Sequence, residues 1–241
     1  MKAIILAAGR GSRMQSLTDD RPKCLIEFKG KPLLLWQIEA LRAAGVHEIA
    51  IVTGYQRERL SRFGLVEFHN SRWADTQMVS SLACAQAWLQ LGPCVVSYSD
   101  IFYSSSAVTS LMNSSAPLAV TYDINWRNLW EQRFGDPLLD AETFRLDRGG
   151  YLKEIGFKPS TIEEIEGQYM GLLRFTPIGW SELQRVRTQL SKDEVEQIQM
   201  TRVLQRVIEA RRIQIEAIPY SQAWGEFDSA ADLTALQDPS S

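Results

Sequence analysis

Directly after an apolar run at the start of the chain, Leu6-Ala7-Ala8-Gly9-Arg10-Gly11-Ser12-Arg13 leads into Arg21-Pro22-Lys23. No other feature constrains the fold as much. Lys2 to Ala7 reads as a buried strand, so the glycine-rich loop sits at a strand's carboxyl end. In an open α/β sheet those ends form the ligand crevice. Small residues let the backbone approach a ligand closely, and successive N–H groups can cradle phosphate oxygens. Arg13 and Lys23 add positive charge where a triphosphate would lie. Arginine offers a planar fork and lysine a compact point charge. Two rival phosphate loops fail. A dinucleotide fingerprint needs a third glycine where Met14 stands, and a Walker A loop needs a Gly-Lys-Ser/Thr run that is absent.

The rest of the first half alternates in the same manner. Glu48 to Thr53, Leu65 to His69, Cys94 to Tyr98 and Leu118 to Tyr122 read as strands. Leu33 to Ala44, closed by Gly45, and Gln77 to Leu89 read as helices. Strands alternating with helices imply an α/β fold, with a mostly parallel sheet flanked by helices. After Asp123 the pattern changes. Residues 124–143 read as an irregular insertion rich in Trp, Arg and acids. Phe144 to Asp147, Tyr151 to Ile155 and Tyr169 to Phe175 predict a more antiparallel region. Helices are expected over Leu183 to Leu190, Thr201 to Ala210 and Ser229 to Leu236, and a strand over Ile213 to Ile218. With 241 residues, no internal repeat and no low-complexity linker, one domain over 1–241 is the economical reading.

Charge narrows the partners. A net charge of -3 argues against a bulk nucleic-acid binder. The local cluster Arg10, Arg13, Arg21 and Lys23 suits a small polyanion instead. Three cysteines, Cys24, Cys84 and Cys94, without close spacing argue against a disulfide framework or zinc site, and for free thiols in a reducing cytoplasm. The apolar run at the amino terminus ends at residue 9, too short for a signal peptide. No stretch approaches the length of a membrane span. His47 and His69 both border predicted strands and read as structural.

Residues 1–35, with their Leu-Ala-Ala-Gly-x-Gly-x-Arg loop and Pro-Lys pair, resemble the opening of a nucleotidyltransferase family. That family includes sugar-phosphate nucleotidylyltransferases and phosphocholine cytidylyltransferases. The resemblance implies a Rossmann-like mixed sheet of the nucleotide-diphospho-sugar transferase type. It implies that Leu6, Ala7, Ala8, Gly9, Gly11 and Ser12 wrap a triphosphate, with Arg13 and Lys23 as catalytic cations. Ser99-Asp100 is similar to a family motif that supplies a magnesium ligand, and Glu226-Phe227-Asp228-Ser229 to a late motif that supplies a second. Asp100 and Asp228 are therefore the expected ligands of Mg2+. The first aspartate of an Asp-x-Asp version of the earlier motif is replaced by Tyr98. On this reading residues 1–123 bind nucleotide, and residues 124–241 complete the metal site and hold the acceptor.

The segment Asn70 to Leu82 resembles the loop-to-helix stretch of phosphocholine-type cytidylyltransferases, which favours CTP. Thr76, Ser80 and Ser81 are its candidate base or ribose contacts. For the acceptor the candidates are Trp126, Trp130, Arg133, Tyr169 and Gly171. Aromatic faces attract a cationic headgroup, although Trp126 and Trp130 are also spaced as a packed helical stripe. Glu131, Asp136, Asp140 and Glu142 could instead read an amine. The implied reaction moves CMP from CTP to a small phosphorylated or phosphonylated, amine-bearing metabolite and releases pyrophosphate. A hexose-1-phosphate nucleotidylyltransferase is the runner-up, and a non-catalytic nucleotide sensor or an NAD-dependent oxidoreductase fit less well. The expected partners are thus the triphosphate and acceptor alone, without nucleic acid or membrane, and a homodimer is compatible.

Overall fold

A computed structural model describes residues 1–237; residues 238–241 of the expected domain lie outside it. Seven strands form the central sheet. They are β1 (Lys2–Ala7), β2 (Glu48–Thr53), β3 (Val66–His69), β4 (Cys94–Tyr98), β5 (Leu118–Asp123), β6 (Gln168–Phe175) and β7 (Ile215–Tyr220). Their spatial order is β7-β5-β6-β4-β1-β2-β3. Only β6 runs antiparallel to its neighbours β4 and β5. The expected mostly parallel mixed sheet is thus present.

Both sheet faces are buried, as a parallel sheet requires. Along β1 the side chains alternate. Ala3, Ile5 and Ala7 enter one core, and Ile4 and Leu6 enter the other. The first core receives α1 (Leu33–Ala43), which ends as Gly45 adopts a left-handed φ of 86°. The second core receives α2 (Met78–Ala83) and α3 (Gln86–Leu91). The sequence reads these two as one helix from Gln77. Val79, Leu82, Ala85 and Leu89 are all fully buried across the break, so the apolar stripe continues and hides it. The helix α4 (Ser105–Asn113) covers the first face further along and was not expected.

Residues 124–143 are not wholly irregular. They contain α5 (Trp126–Phe134), a helix with only Trp126 and Trp130 buried. The spacing of Trp126 and Trp130 as a packed helical stripe is borne out, but one pair spaced i, i+4 is too sparse to set the ends of the helix. The helix α6 spans Pro177–Arg187 and starts earlier than expected. Trp180 near its start is already buried, and Thr176 caps it by accepting from the Gly179 amide, with Pro177 in the first turn. A short α7 (Lys192–Gln197) follows the capping box of Ser191 and Glu194. The helix α8 (Met200–Ala210) buries Val203, Leu204 and Val207, and α9 (Ala230–Gln237) closes the described chain. Cys24, Cys84 and Cys94 are free thiols. Among the described residues no helix is long and apolar enough to cross a membrane.

Candidate active site

Asp100 follows β4 at the carboxyl end of the sheet. Its turn is clamped from below. Gln37 of α1 is fully buried, and its Nε2 donates to the carbonyls of Tyr98 at 2.9 Å and Ile101 at 2.6 Å. A two-stranded ribbon then pairs Ile101–Phe102 antiparallel with Gly225–Glu226. The Phe227 amide donates to the Asp100 carbonyl at 2.9 Å. Phe227 itself is fully buried against Phe28 and Phe102. This aromatic plug and ribbon bring the two sequence-predicted metal aspartates together.

The carboxylates of Asp100, Glu226 and Asp228 each offer an oxygen within 4.8 Å of the others. Lys23 Nζ donates to Asp100 at 2.8 Å and to Asp228 at 3.0 Å. Arg13 reaches the same Asp228 oxygen at 3.1 Å. Burial works to lower the Lys23 pKa, but Asp100 and Asp228 outweigh it and hold the ammonium above its ordinary value. The lysine stem lies against Gly11. A Cβ at Gly11 would stand 2.7 Å from Lys23 Cδ, and its φ of 72° also requires glycine. The loop and the Pro-Lys pair thus form one unit. Tyr55, in the turn after β2, fastens it, since its amide donates to the Ala8 carbonyl at 2.9 Å.

Glu226 carries no assigned role in the sequence reading, although it belongs to the quoted motif. Two residues apart in an extended segment, Glu226 and Asp228 face the same way. That spacing was the available signal. Burial raises the Glu226 carboxyl to about 8, helped by Asp228 and Asp100 and opposed by Arg133 and Lys23. An unfolded chain releases that proton near the ordinary value of 4.5. Between those limits the native state binds the extra proton, so stability falls as pH rises from about 4.5 to about 8. Thermal unfolding in chelator-treated buffer is expected to show this slope in the wild type. Glu226→Gln should flatten it; an unchanged slope would place the titration elsewhere.

A cavity of about 360 Å³ opens beside the cluster. Arg13, Asp100, Glu226 and Asp228 line one part, and Trp130, Asp140, Glu142 and Tyr169 another. Trp130 is 1% exposed, and its Nε1 donates to Asp140 at 3.2 Å. Tyr169 stands edge-on to Tyr98 with ring centroids 5.8 Å apart. Gly171 lies in a left-handed kink with φ 75°, where the register of β6 against β5 shifts. Trp126 lies in the hydrophobic core. Arg133 is behind the carboxylates, its side chain 2% exposed.

The three hydroxyls expected near the nucleotide make protein contacts. Thr76 and Ser81 both accept from Asn70 Nδ2 at 3.0 Å, and Ser80 donates to the Val195 carbonyl at 3.1 Å. His69 lies on β3, where Nδ1 is 3.2 Å from Thr53 Oγ1. Asp232 is a further residue the sequence left unassigned. Its Oδ2 accepts from the amides of Asp228 and Ser229 at 2.9 and 2.7 Å. It thereby fixes the backbone that carries Asp228 at the start of α9.

The family model for MobA-like NTP transferase domains matches residues 3–143. The chain is 37% identical to a CTP:phosphoglutamine cytidylyltransferase of Campylobacter jejuni, over 97% of this chain and 98% of that one. A choline-phosphate cytidylyltransferase of Streptococcus pneumoniae is 40% identical over 34% of this chain and 38% of its own. Two solved structures share the fold. The inositol-1-phosphate CTP transferase of T. maritima aligns with a TM-score of 0.77 and 18% identity, over 99% of this chain and 96% of that one. The CTP:phosphocholine cytidylyltransferase of Streptococcus pneumoniae aligns with a TM-score of 0.74 and 20% identity, over 98% and 97%.

Proposed function

Because the chain belongs to the MobA-like NTP transferase family, we propose that it transfers CMP from CTP to a small, amine-bearing phosphorylated metabolite and releases pyrophosphate. The observation that carries this reading is the convergence of loop, cations and carboxylates at the mouth of one cavity. Lys23, Arg13, Asp100, Glu226 and Asp228 meet there.

In this reading an oxygen of the acceptor phosphate attacks the α-phosphorus of CTP, and the bond to pyrophosphate breaks. The acceptor oxygen is already ionised, so no general base is needed. Leu6 to Ser12 wrap the triphosphate, and Arg13 and Lys23 meet the charge that leaves with pyrophosphate. The base and ribose lie beside the segment of Thr76, Ser80 and Ser81, whose hydroxyls hold Asn70 and the Val195 carbonyl and so shape that side from behind. Trp130, Tyr169 and Gly171 shape the acceptor side, where Asp140 and Glu142 are placed to read an amine, while Trp126 supports that wall from the core and Arg133 stands behind the carboxylates. The work is positioning and charge neutralisation rather than proton transfer.

Asp100, Asp228 and Glu226 would hold a divalent cation, Mg2+ by preference. The donor set fits. It is all oxygen, and Asp100 Oδ1 is buried without a hydrogen-bond partner. Magnesium is commonly held by few carboxylates together with substrate phosphate and water. When bound, it supplies charge stabilisation to the phosphate under attack. A single enzyme domain working in the cytoplasm, with residues 1–123 binding nucleotide and 124–241 the acceptor, completes the proposal.

Pyrophosphate release with Mg2+ tests it. Each of the four common nucleoside triphosphates would be paired with phosphoglutamine, phosphocholine, 2-aminoethylphosphonate, phosphoethanolamine and glucose 1-phosphate. Turnover is expected with CTP and an amine-bearing acceptor. Turnover confined to glucose 1-phosphate would move the enzyme to the hexose-1-phosphate class.

A further inference from the structure

Arg133 sits in the last turn of α5, the helix whose Trp130 lines the acceptor cavity. Its guanidinium stands 4.9 Å from the Trp130 ring centroid and 4.8 Å from that of Phe134. Its Nε donates to Asp232 Oδ1 at 2.8 Å. The other Asp232 oxygen holds the amides of Asp228 and Ser229. The fork itself points elsewhere. Nη1 is 3.7 Å from Glu226 Oε2, and Nη2 is 4.0 Å from Asp228 Oδ2. Both nitrogens are buried and have no hydrogen-bond partner. Leaving charged donors in that condition costs free energy, so such groups are uncommon without a role.

Asp228 therefore has two distinct sides. Oδ1 faces Lys23 and Arg13, and Oδ2 faces Arg133. Groups that hold the outer oxygens of metal-binding carboxylates orient the ligands, and their loss commonly weakens metal binding about 10–100-fold.

We infer that Arg133 is a positioning residue, which aims Asp228 and Glu226 at a bound divalent cation and ties both to the acceptor-side helix. This rests on the reading of those carboxylates as the cation site. One rigid plane holds Nε bonded to Asp232 and turns the two Nη atoms toward Glu226 and Asp228. A lysine could supply the charge but not the plane.

Electrostatics alone gives the opposite sign. A mere counter-charge repels a cation, so removing it would tighten cation binding. The sign of the effect separates the two roles.

The experiment uses Mn2+ as probe on the full-length chain. Free Mn2+ is followed by its paramagnetic resonance signal, with and without α,β-methylene CTP, which binds but cannot transfer CMP. Arg133→Gln is expected to weaken Mn2+ binding at least about 10-fold. Arg133→Lys is expected to remain clearly weaker than wild type, because charge returns without the fork. Tighter binding in Arg133→Gln, or wild-type affinity in Arg133→Lys, would overturn the inference. If Arg133→Gln fails to fold, Arg133→Lys carries the test alone, with its circular dichroism as the control. Asp228→Asn should lose Mn2+ binding. If it retains full affinity, the cation-site reading fails first, and that failure is distinct from an inert Arg133.

Discussion

Asp100→Asn is expected to reduce CMP transfer by about 10²–10³-fold, the range seen when one preorganised electrostatic group is removed from a transition state. The substitution keeps the size of the side chain and removes its charge. Lys23 then keeps Asp228 as its partner and loses Asp100. Stability should change little, because Lys23 keeps Asp228 as partner while neutralising Asp100 relieves its repulsion with Asp228. Steady-state pyrophosphate release gives the rate, and titration with CTP gives nucleotide affinity. A large loss of turnover with near-normal CTP affinity supports a role at the reacting phosphate. Wild-type turnover would remove Asp100 from the site altogether.

Gly171→Ala is expected to destabilise the fold by about 2–5 kcal/mol, combining left-handed strain with overpacking. The residue has a φ of 75°, and an added Cβ would lie 2.7 Å from Tyr98 Cδ2 and 2.8 Å from Cγ. Those atoms belong to the root of the ring, which cannot swing aside without moving β4. Urea unfolding measures the loss. Gly9→Ala is the control, since nothing lies within 4 Å of its added Cβ and its φ is not positive. Stability of the Gly171 variant equal to that of the Gly9 variant would show that β6 can relax, and that the kink is not demanding.

Much of this was legible beforehand. Strands of the first half alternate with helices, and the apolar runs at β1, β2, β4 and β5 are legible because these strands are buried on both faces, whereas the edge strand β3 is mostly exposed. The glycine loop could be read because its chemistry is local: small residues, then two cations. The assembly of Asp100 with Asp228 could be expected only through resemblance, because nothing near either residue announces the other. The ribbon joining them has strands of two residues, too short for any period to register. Glu226 and Arg133 were harder. Their meaning lies in who surrounds them, and burial of a charge is a property of the fold rather than of its neighbours in sequence. The helix over Trp126–Phe134 shows in the sequence only as the spacing of Trp126 and Trp130, because these are its only buried apolar residues.

The short ribbon between Ile101–Phe102 and Gly225–Glu226 has a consequence for how the enzyme comes into being. A ribosome delivers the glycine loop, Lys23 and Asp100 well before the strand with Glu226. Until that later segment docks, Lys23 and Asp100 stand without Glu226 and Asp228, the two carboxylates that complete the cluster. Assembly of the carboxylate cluster therefore waits on a contact between segments far apart in the chain.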